Sequence, residues 1–287
     1  GMKPARFSIY PISQPESGRP IVPAAEVAPS ASRLLVSGVS GSSWRKPTGR
    51  IIPESVILKD DRVRIADANL HPWRMIASLT LYPQSGLGSF IGTGWFVHPK
   101  VLLTAGHCVH DKDQLGGPAR RVVVKPGLGN ATEPFGRFEA VRLAALDRWI
   151  KHKDPDYDIG CIFLNEPVGD RTGVFDLRTA TDADLASRLV NISGYPADRD
   201  GGREQYFHAN RVQATTPRSI FYDVDTFGGQ SGSPVFLQDE PDARPIAIGI
   251  HAYGTGRTPP TPGLSANSGP RLTADVLATI ESWVASA

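Results

Sequence analysis

Three short segments of the sequence carry side chains that can act on one another: Leu103-Thr104-Ala105-Gly106-His107-Cys108, Tyr157-Asp158-Ile159-Gly160 and Gly228-Gly229-Gln230-Ser231-Gly232-Ser233-Pro234. A serine hydroxyl is a weak nucleophile until an imidazole takes its proton, and a buried carboxylate must hold that imidazole in the right tautomer. His107, Asp158 and Ser231 supply those three groups, in the chain order His, Asp, Ser. They are the candidate catalytic residues for acyl transfer through a covalent acyl-enzyme. The glycines beside Ser231 have a task of their own, because the backbone amides of Gly229 and Ser231 can converge on a developing oxyanion only where the chain turns tightly. Taken singly, each segment is ordinary: a histidine after a strand, a Tyr-Asp turn, a glycine loop. Their combination on one chain points to a hydrolase.

Residues so far apart need a fold to join them, and the body of the chain reads as all-β. Among 287 residues there are 29 glycines and 25 prolines, which predicts many short elements joined by tight turns. Hydrophobic residues make up 40 % and charged residues 21 %, enough apolar matter for a sizeable core. Apolar runs rich in β-branched and aromatic residues predict strands at 55–58, 75–82, 94–97, 101–104 and 121–125, and a second group at 190–195, 219–222, 233–237 and 246–250. Near the C-terminus the pattern changes: Thr273 can cap a helix whose Val276, Leu277, Ile280, Trp283 and Val284 share one face, which packs on the body. The first 54 residues stand apart, with recurrent prolines, a Ser/Gly cluster from Ser37 to Ser43 and weak apolar periodicity. The expected division is an N-terminal extension or pro-segment over 1–54, a first β-domain over 55–175 bearing His107 and Asp158, and a second over 176–287 bearing Ser231.

Several function classes drop out. The formal net charge is +2, with lysines and arginines scattered, so no nucleic acid partner is expected. No apolar stretch is long enough to span a bilayer, so no membrane partner is expected, and the N-terminus shows no secretory apolar region. The two cysteines, Cys108 and Cys161, form neither a disulfide framework nor a zinc-ligand pattern, and the chemistry calls for no metal or organic cofactor. The expected partners are protein or peptide substrates, and the expected state is a monomer.

Further segments give the pattern a family likeness. Together with the three above, Ser55-Val56-Ile57-Leu58-Lys59-Asp60-Asp61-Arg62, Ile192-Ser193-Gly194-Tyr195-Pro196, Asp225-Thr226-Phe227-Gly228-Gly229 and Gly249-Ile250-His251-Ala252-Tyr253-Gly254 resemble the bacterial glutamyl endopeptidases, a branch of the chymotrypsin-like serine proteases. The resemblance covers about residues 55 to 285. It implies two six-stranded antiparallel β-barrels with a C-terminal α-helix, and an active site in the cleft between them. It implies cleavage after Glu or Asp, with the substrate carboxylate held by Thr226, His251 and the free amine of a mature chain that begins at Ser55 or Val56. Ala252, Tyr253 and Gly254 would pair with the substrate backbone. It also implies a zymogen, and the junction Ile52-Pro53-Glu54-Ser55-Val56 places a glutamate before the cut. The family suggests secretion, although no signal segment is legible.

One residue favours a different specificity: Asp225 lies six positions before Ser231, where trypsin-like enzymes carry the aspartate that selects Lys or Arg. Against that reading, Gln230 stands where a trypsin-like zymogen needs an aspartate. The remaining alternative is a protease-like binding module that does no chemistry. An intact triad with its glycine turn is more than a binder requires.

Overall fold

In the computed structural model the described residues are 2–12, 35–36, 47–48, 51–53, 62–223, 230–240, 242–254, 257–264 and 266–287. The expected strand at 55–58 lies outside them. The chain runs through β1 (Phe7–Pro11), β2 (Val63–Ile65), β3 (Ile76–Tyr82), β4 (Phe90–His98), β5 (Val101–Thr104), β6 (Arg121–Pro126), β7 (Phe138–Glu139), β8 (Arg142–Leu146) and β9 (Gly160–Phe163). A second set follows: β10 (Leu189–Gly194), β11 (Tyr206–Thr215), β12 (Ser219–Tyr222), β13 (Pro234–Leu237), β14 (Ile246–Ile250) and β15 (Asn267–Pro270). Three helices matter for the site and its support: α1 (Gly106–Val109), α2 (Asp147–His152) and α3 (Ala274–Ala285).

Each set closes on itself. In the first, β6, β3, β4, β5, β9 and β8 pair in succession, all antiparallel, and β7 pairs back onto β6. β7 and β8 are two halves of one bent run. At the bend the Ala140 N–H donates to the Val122 carbonyl and the Val141 N–H to the Phe163 carbonyl, so the run touches both edges and completes a ring of six. In the second, β14, β13, β10, β11, β12 and β15 pair in order, and bridges from Gly249 to Arg271 and from Tyr253 to Ser268 join the last strand to the first. Closure turns alternate side chains inward, and in the first ring it leaves one side of β8 as an edge, which β1 pairs with. The strands of the first ring pack into the hydrophobic core, where Leu79, Trp95, Phe96, Leu102, Leu103, Leu143, Cys161 and Ile162 are fully buried.

The expected strands within the described residues are present in near-expected places, and further strands form that no local pattern announces. β9 has four residues, all buried, too few and too uniform to show alternation. β15 is Asn-Ser-Gly-Pro, made of turn-forming residues yet wholly buried. Its Gly269 is required by close approach, since a Cβ there would lie 1.7 Å from the Ile250 carbonyl oxygen. By its composition β1 belongs to the N-terminal extension. It is instead an extra strand of the first sheet, paired antiparallel with β8 from Phe7 opposite Leu146 to Pro11 opposite Arg142.

α3 forms where expected, and Val276, Ile280 and Trp283 are buried with Leu277 and Val284 packed beside them. Thr273 occupies the N-cap position, but its hydroxyl donates to the Asp275 carboxylate at 2.5 Å rather than accepting a helix N–H. Among the described residues no helix is long and apolar enough to cross a membrane. Trp283 is the anchor of this helix, fully buried and in edge contact with Phe7 at 5.7 Å. Trp283→Ala should therefore destabilise the protein by about 3–5 kcal/mol in denaturant titration, the usual cost of emptying a buried aromatic site.

Candidate active site

β5 ends at Thr104, Ala105 remains extended, and the chain then makes the single turn α1 that carries His107 and Cys108. Asp158 follows a short 3-10 turn, Pro155–Tyr157, whose start is fixed by the Asp154 carboxylate accepting the Asp156 N–H. The two meet closely. Asp158 is fully buried, its Oδ1 accepts the His107 backbone N–H at 2.7 Å, and its Oδ2 lies 2.7 Å from His107 Nδ1. A carboxylate can only accept, so the proton sits on Nδ1 and the lone pair on Nε2. Burial alone would lower the His107 pKa, but the charge of Asp158 and its hydrogen bond outweigh it, and the imidazole is more basic than usual.

A third donor reaches the same carboxylate. The Tyr253 hydroxyl donates to Asp158 Oδ2 at 2.5 Å, and the Tyr253 ring lies 6.2 Å from that of His107. Trp149 of α2 lies 6.0 Å from the His107 ring and donates its Nε1–H to the His110 carbonyl at 2.8 Å. Trp149 carried no signal in the sequence, and Tyr253 is expected there for its backbone, not for a hydroxyl that reaches Asp158.

The Ser231 loop is tied to the first barrel by its main chain. The Ser231 carbonyl accepts the Thr93 N–H at 2.9 Å, and the Gly232 carbonyl accepts the Trp95 indole N–H at 2.9 Å. Within the second barrel the Gly232 N–H donates to the His251 carbonyl at 2.8 Å, and the Ser233 hydroxyl donates to the Gln230 carbonyl at 2.5 Å. Gly232 has φ +95°, and a Cβ there would meet the Thr93 carbonyl oxygen at 2.1 Å and Thr104 Oγ1 at 2.3 Å. Only glycine lets the Ser231 loop sit this tightly on β4 and β5.

His107 and Ser231 line one cavity of about 530 Å³, together with Leu81, Ile91, Trp149 and Tyr253. Among the described residues no hydrogen bond joins the Ser231 hydroxyl to His107. Such contacts are commonly long before substrate binds and tighten in the complex. Gly229, Thr226 and Val56 lie outside the described residues.

His251 is buried at the end of β14, with Nδ1 2.7 Å from the Tyr222 hydroxyl. Burial, with some help from His107, pushes its pKa down to about 3, so the ring is neutral. The main chain of Tyr253 is occupied: its N–H and carbonyl both bond to Ser268, at 2.9 and 3.0 Å. Ala252 also gives its N–H to Ser268, at 3.1 Å. An incoming strand could therefore use the Ala252 carbonyl and Gly254, not the Tyr253 backbone. Cys108 and Cys161 are buried free thiols, and burial pushes the Cys108 pKa up to about 12. Among the described residues no group of three or more His, Cys, Asp or Glu side chains is arranged to hold a metal.

The closed barrels and the His-Asp pair beside a serine loop define a protein class, and sequence comparison agrees. Residues 92–247 match the trypsin-like peptidase domain, and the chain belongs to that family. It is a serine endopeptidase. It is 34 % identical over 237 residues to the glutamyl endopeptidase of Bacillus licheniformis, covering 82 % of this chain and 70 % of that protein. It is also 31 % identical over 232 residues to a Bacillus subtilis protein named extracellular metalloprotease, covering 80 % and 70 % respectively. Among solved structures it is similar to a Glu endopeptidase in complex with MPD, with TM-score 0.68, 27 % identity, and coverage of 80 % of this chain and 100 % of that one.

The lock at Gly232 yields a test. Gly232→Ala should leave the first barrel folded but displace Ser231, and displacement of about 1 Å costs on the order of 100-fold in rate. Labelling by a fluorophosphonate should slow by at least that factor, while far-ultraviolet circular dichroism remains near that of the parent.

Proposed function

We propose that Ser231 attacks the main-chain carbonyl of a glutamate or aspartate, with His107 taking the serine proton and returning it to the leaving amine of the next residue, and Asp158 holding His107 in the required tautomer. The observation that carries this reading is the double grip of the buried Asp158 on the His107 backbone and ring, on the wall of the cavity that Ser231 also lines. Water then hydrolyses the acyl-enzyme. The amides of Gly229 and Ser231 are the proposed oxyanion donors.

Turnover requires His107 to be neutral in the free enzyme. Its folded pKa is raised, so kcat/KM should increase with pH through a midpoint above 6.5, the ordinary histidine value. Asp158→Asn should lower turnover by about 10⁴-fold. Tyr253→Phe removes a competing donor from Oδ2, so Asp158 should hold the imidazolium more strongly and move that midpoint upward. A pH-rate profile for the parent and Tyr253→Phe checks both shifts, and a midpoint below 6.5 in the parent would contradict the assignment.

The preference for an acidic residue draws support from His251. Burial drives the Tyr222 pKa far up, so its phenol keeps its proton and can give it to Nδ1. That leaves Nε2 of a neutral ring as an N–H donor, suited to a carboxylate and useless to a lysine or arginine. Thr226 and the freed amine of Val56 or Ser55 would complete the pocket. The B. licheniformis relative and the similar solved structure are both named for glutamate. Processing at the 54/55 junction fits the chain path: Ile51–Pro53 pairs with β2, so the junction falls in the connection between two paired strands.

Chromogenic peptides ending in Glu, Asp, Lys or Arg should rank Glu first by at least tenfold in kcat/KM. Preference for Lys or Arg would return the assignment to Asp225. Because one relative is named a metalloprotease, the same assay should include a chelator, which is expected to leave the rate unchanged. Wild-type protein should shorten to a chain starting at Ser55 or Val56, while Ser231→Ala does not self-process. A full-length chain with full activity in mass spectrometry would refute the zymogen reading.

A further inference from the structure

We propose that residues 5–12 are a built-in peptide ligand of the first barrel, which remains bound as a separate chain after the connection to the body is cut, so that the processed enzyme is a two-chain complex. The inference goes beyond the proposed processing and rests on it for its biological occasion.

Residues 5–12 make the contacts of an added strand rather than those of a tether. Five residue pairs put β1 beside β8 in antiparallel register. The Asp147 N–H donates to the Arg6 carbonyl at 2.9 Å and the Ile12 N–H to the Val141 carbonyl at 2.9 Å. Side chains reinforce the main chain: the Ser8 hydroxyl donates to Asp147 Oδ1 at 2.6 Å, and the Thr279 hydroxyl of α3 donates to the Ala5 carbonyl at 2.7 Å. Phe7 meets Trp283 edge-on at 5.7 Å, and Ala5, Phe7, Tyr10 and Ile12 all pack on the main core. This is recognition by strand addition, with hydrogen bonds for affinity and alternate side chains for specificity.

A second contact holds the other end of the segment, where Ile51–Pro53 pairs with Val63–Ile65. A fragment cut after residue 54 would thus keep two attachments to the body. Linking two weak contacts raises the effective concentration of each for its site. Losing the fragment would uncover β8, whose residues 143–146 are fully buried, and leave an unpaired strand edge.

The strand also lies close to the chemistry. Tyr10 packs against His110 with ring centroids 5.4 Å apart, three residues after His107. Ser8 and Arg6 hold Asp147, the first residue of α2, and α2 carries the Trp149 that flanks His107. A bound fragment therefore supports the histidine turn from behind.

The test separates retention from self-processing. In Ser231→Ala, a recognition sequence for a site-specific protease is inserted between Ser42 and Ser43, and the chain is cut. The expected result is one native size-exclusion peak that yields both fragments in equal amounts by denaturing mass spectrometry. Its melting temperature should rise with protein concentration, which the uncut chain should not do. The double change Phe7→Ser with Tyr10→Ser should release the short fragment. A folded body without its N-terminal fragment in the native peak overturns the proposal, as does a melting temperature independent of concentration. If wild-type protein never shortens, the processing reading fails and the engineered cut still decides retention.

Discussion

The structure depends first on one buried carboxylate. Asp158 has no exposed surface, and an ionised carboxylate in such a place is tolerated only when strong donors surround it. Here there are three: the His107 backbone, the His107 ring and the Tyr253 hydroxyl. Two come from the turn after β5, while the third arrives from the far end of β14. Satisfying one charge therefore requires both barrels to be in place. The solution that solvates Asp158 also orients the imidazole, so stability and chemistry share the same hydrogen bonds.

The second constraint is the approach of the Ser231 loop to the first barrel. Thr93 and Trp95 on β4 bond to consecutive carbonyls, of Ser231 and Gly232, at a spacing that no side chain on residue 232 would permit. These are backbone and indole interactions in a buried setting, where geometry is enforced more strictly than by exposed ion pairs. His107 and Ser231 are thus carried by different barrels and line one cavity. His251, buried and neutral beside the Tyr222 phenol, likewise brings a polar group inside without a buried free charge.

The N-terminal residues show how context can reverse a local reading. Proline recurrence and weak periodicity mark an extension, and that description suits the composition. Yet residues 7–11 form a strand because β8 offers an edge and α3 offers Trp283 and Thr279 as partners. Neither partner lies within 130 residues of it in the chain, so no local pattern could announce the match. Strand addition depends on what the receiving edge presents, and that edge exists only after the first barrel closes.

Residue type and spacing alone determined the chemistry this chain could do, since a serine, a histidine and an aspartate in characteristic glycine-rich settings have few other uses in combination. They also determined the β class, through short runs of β-branched and aromatic residues between turns. Tertiary structure decided what no window of sequence contains: that Tyr253 and Trp149 flank the histidine, that four turn-forming residues make a buried strand at 267–270, and that Tyr222 sets the ring of His251. Sequence periodicity reports which face a residue presents within its own element. The identity of the atom it meets is set by the closure of two barrels, which brings together groups separated by most of the chain.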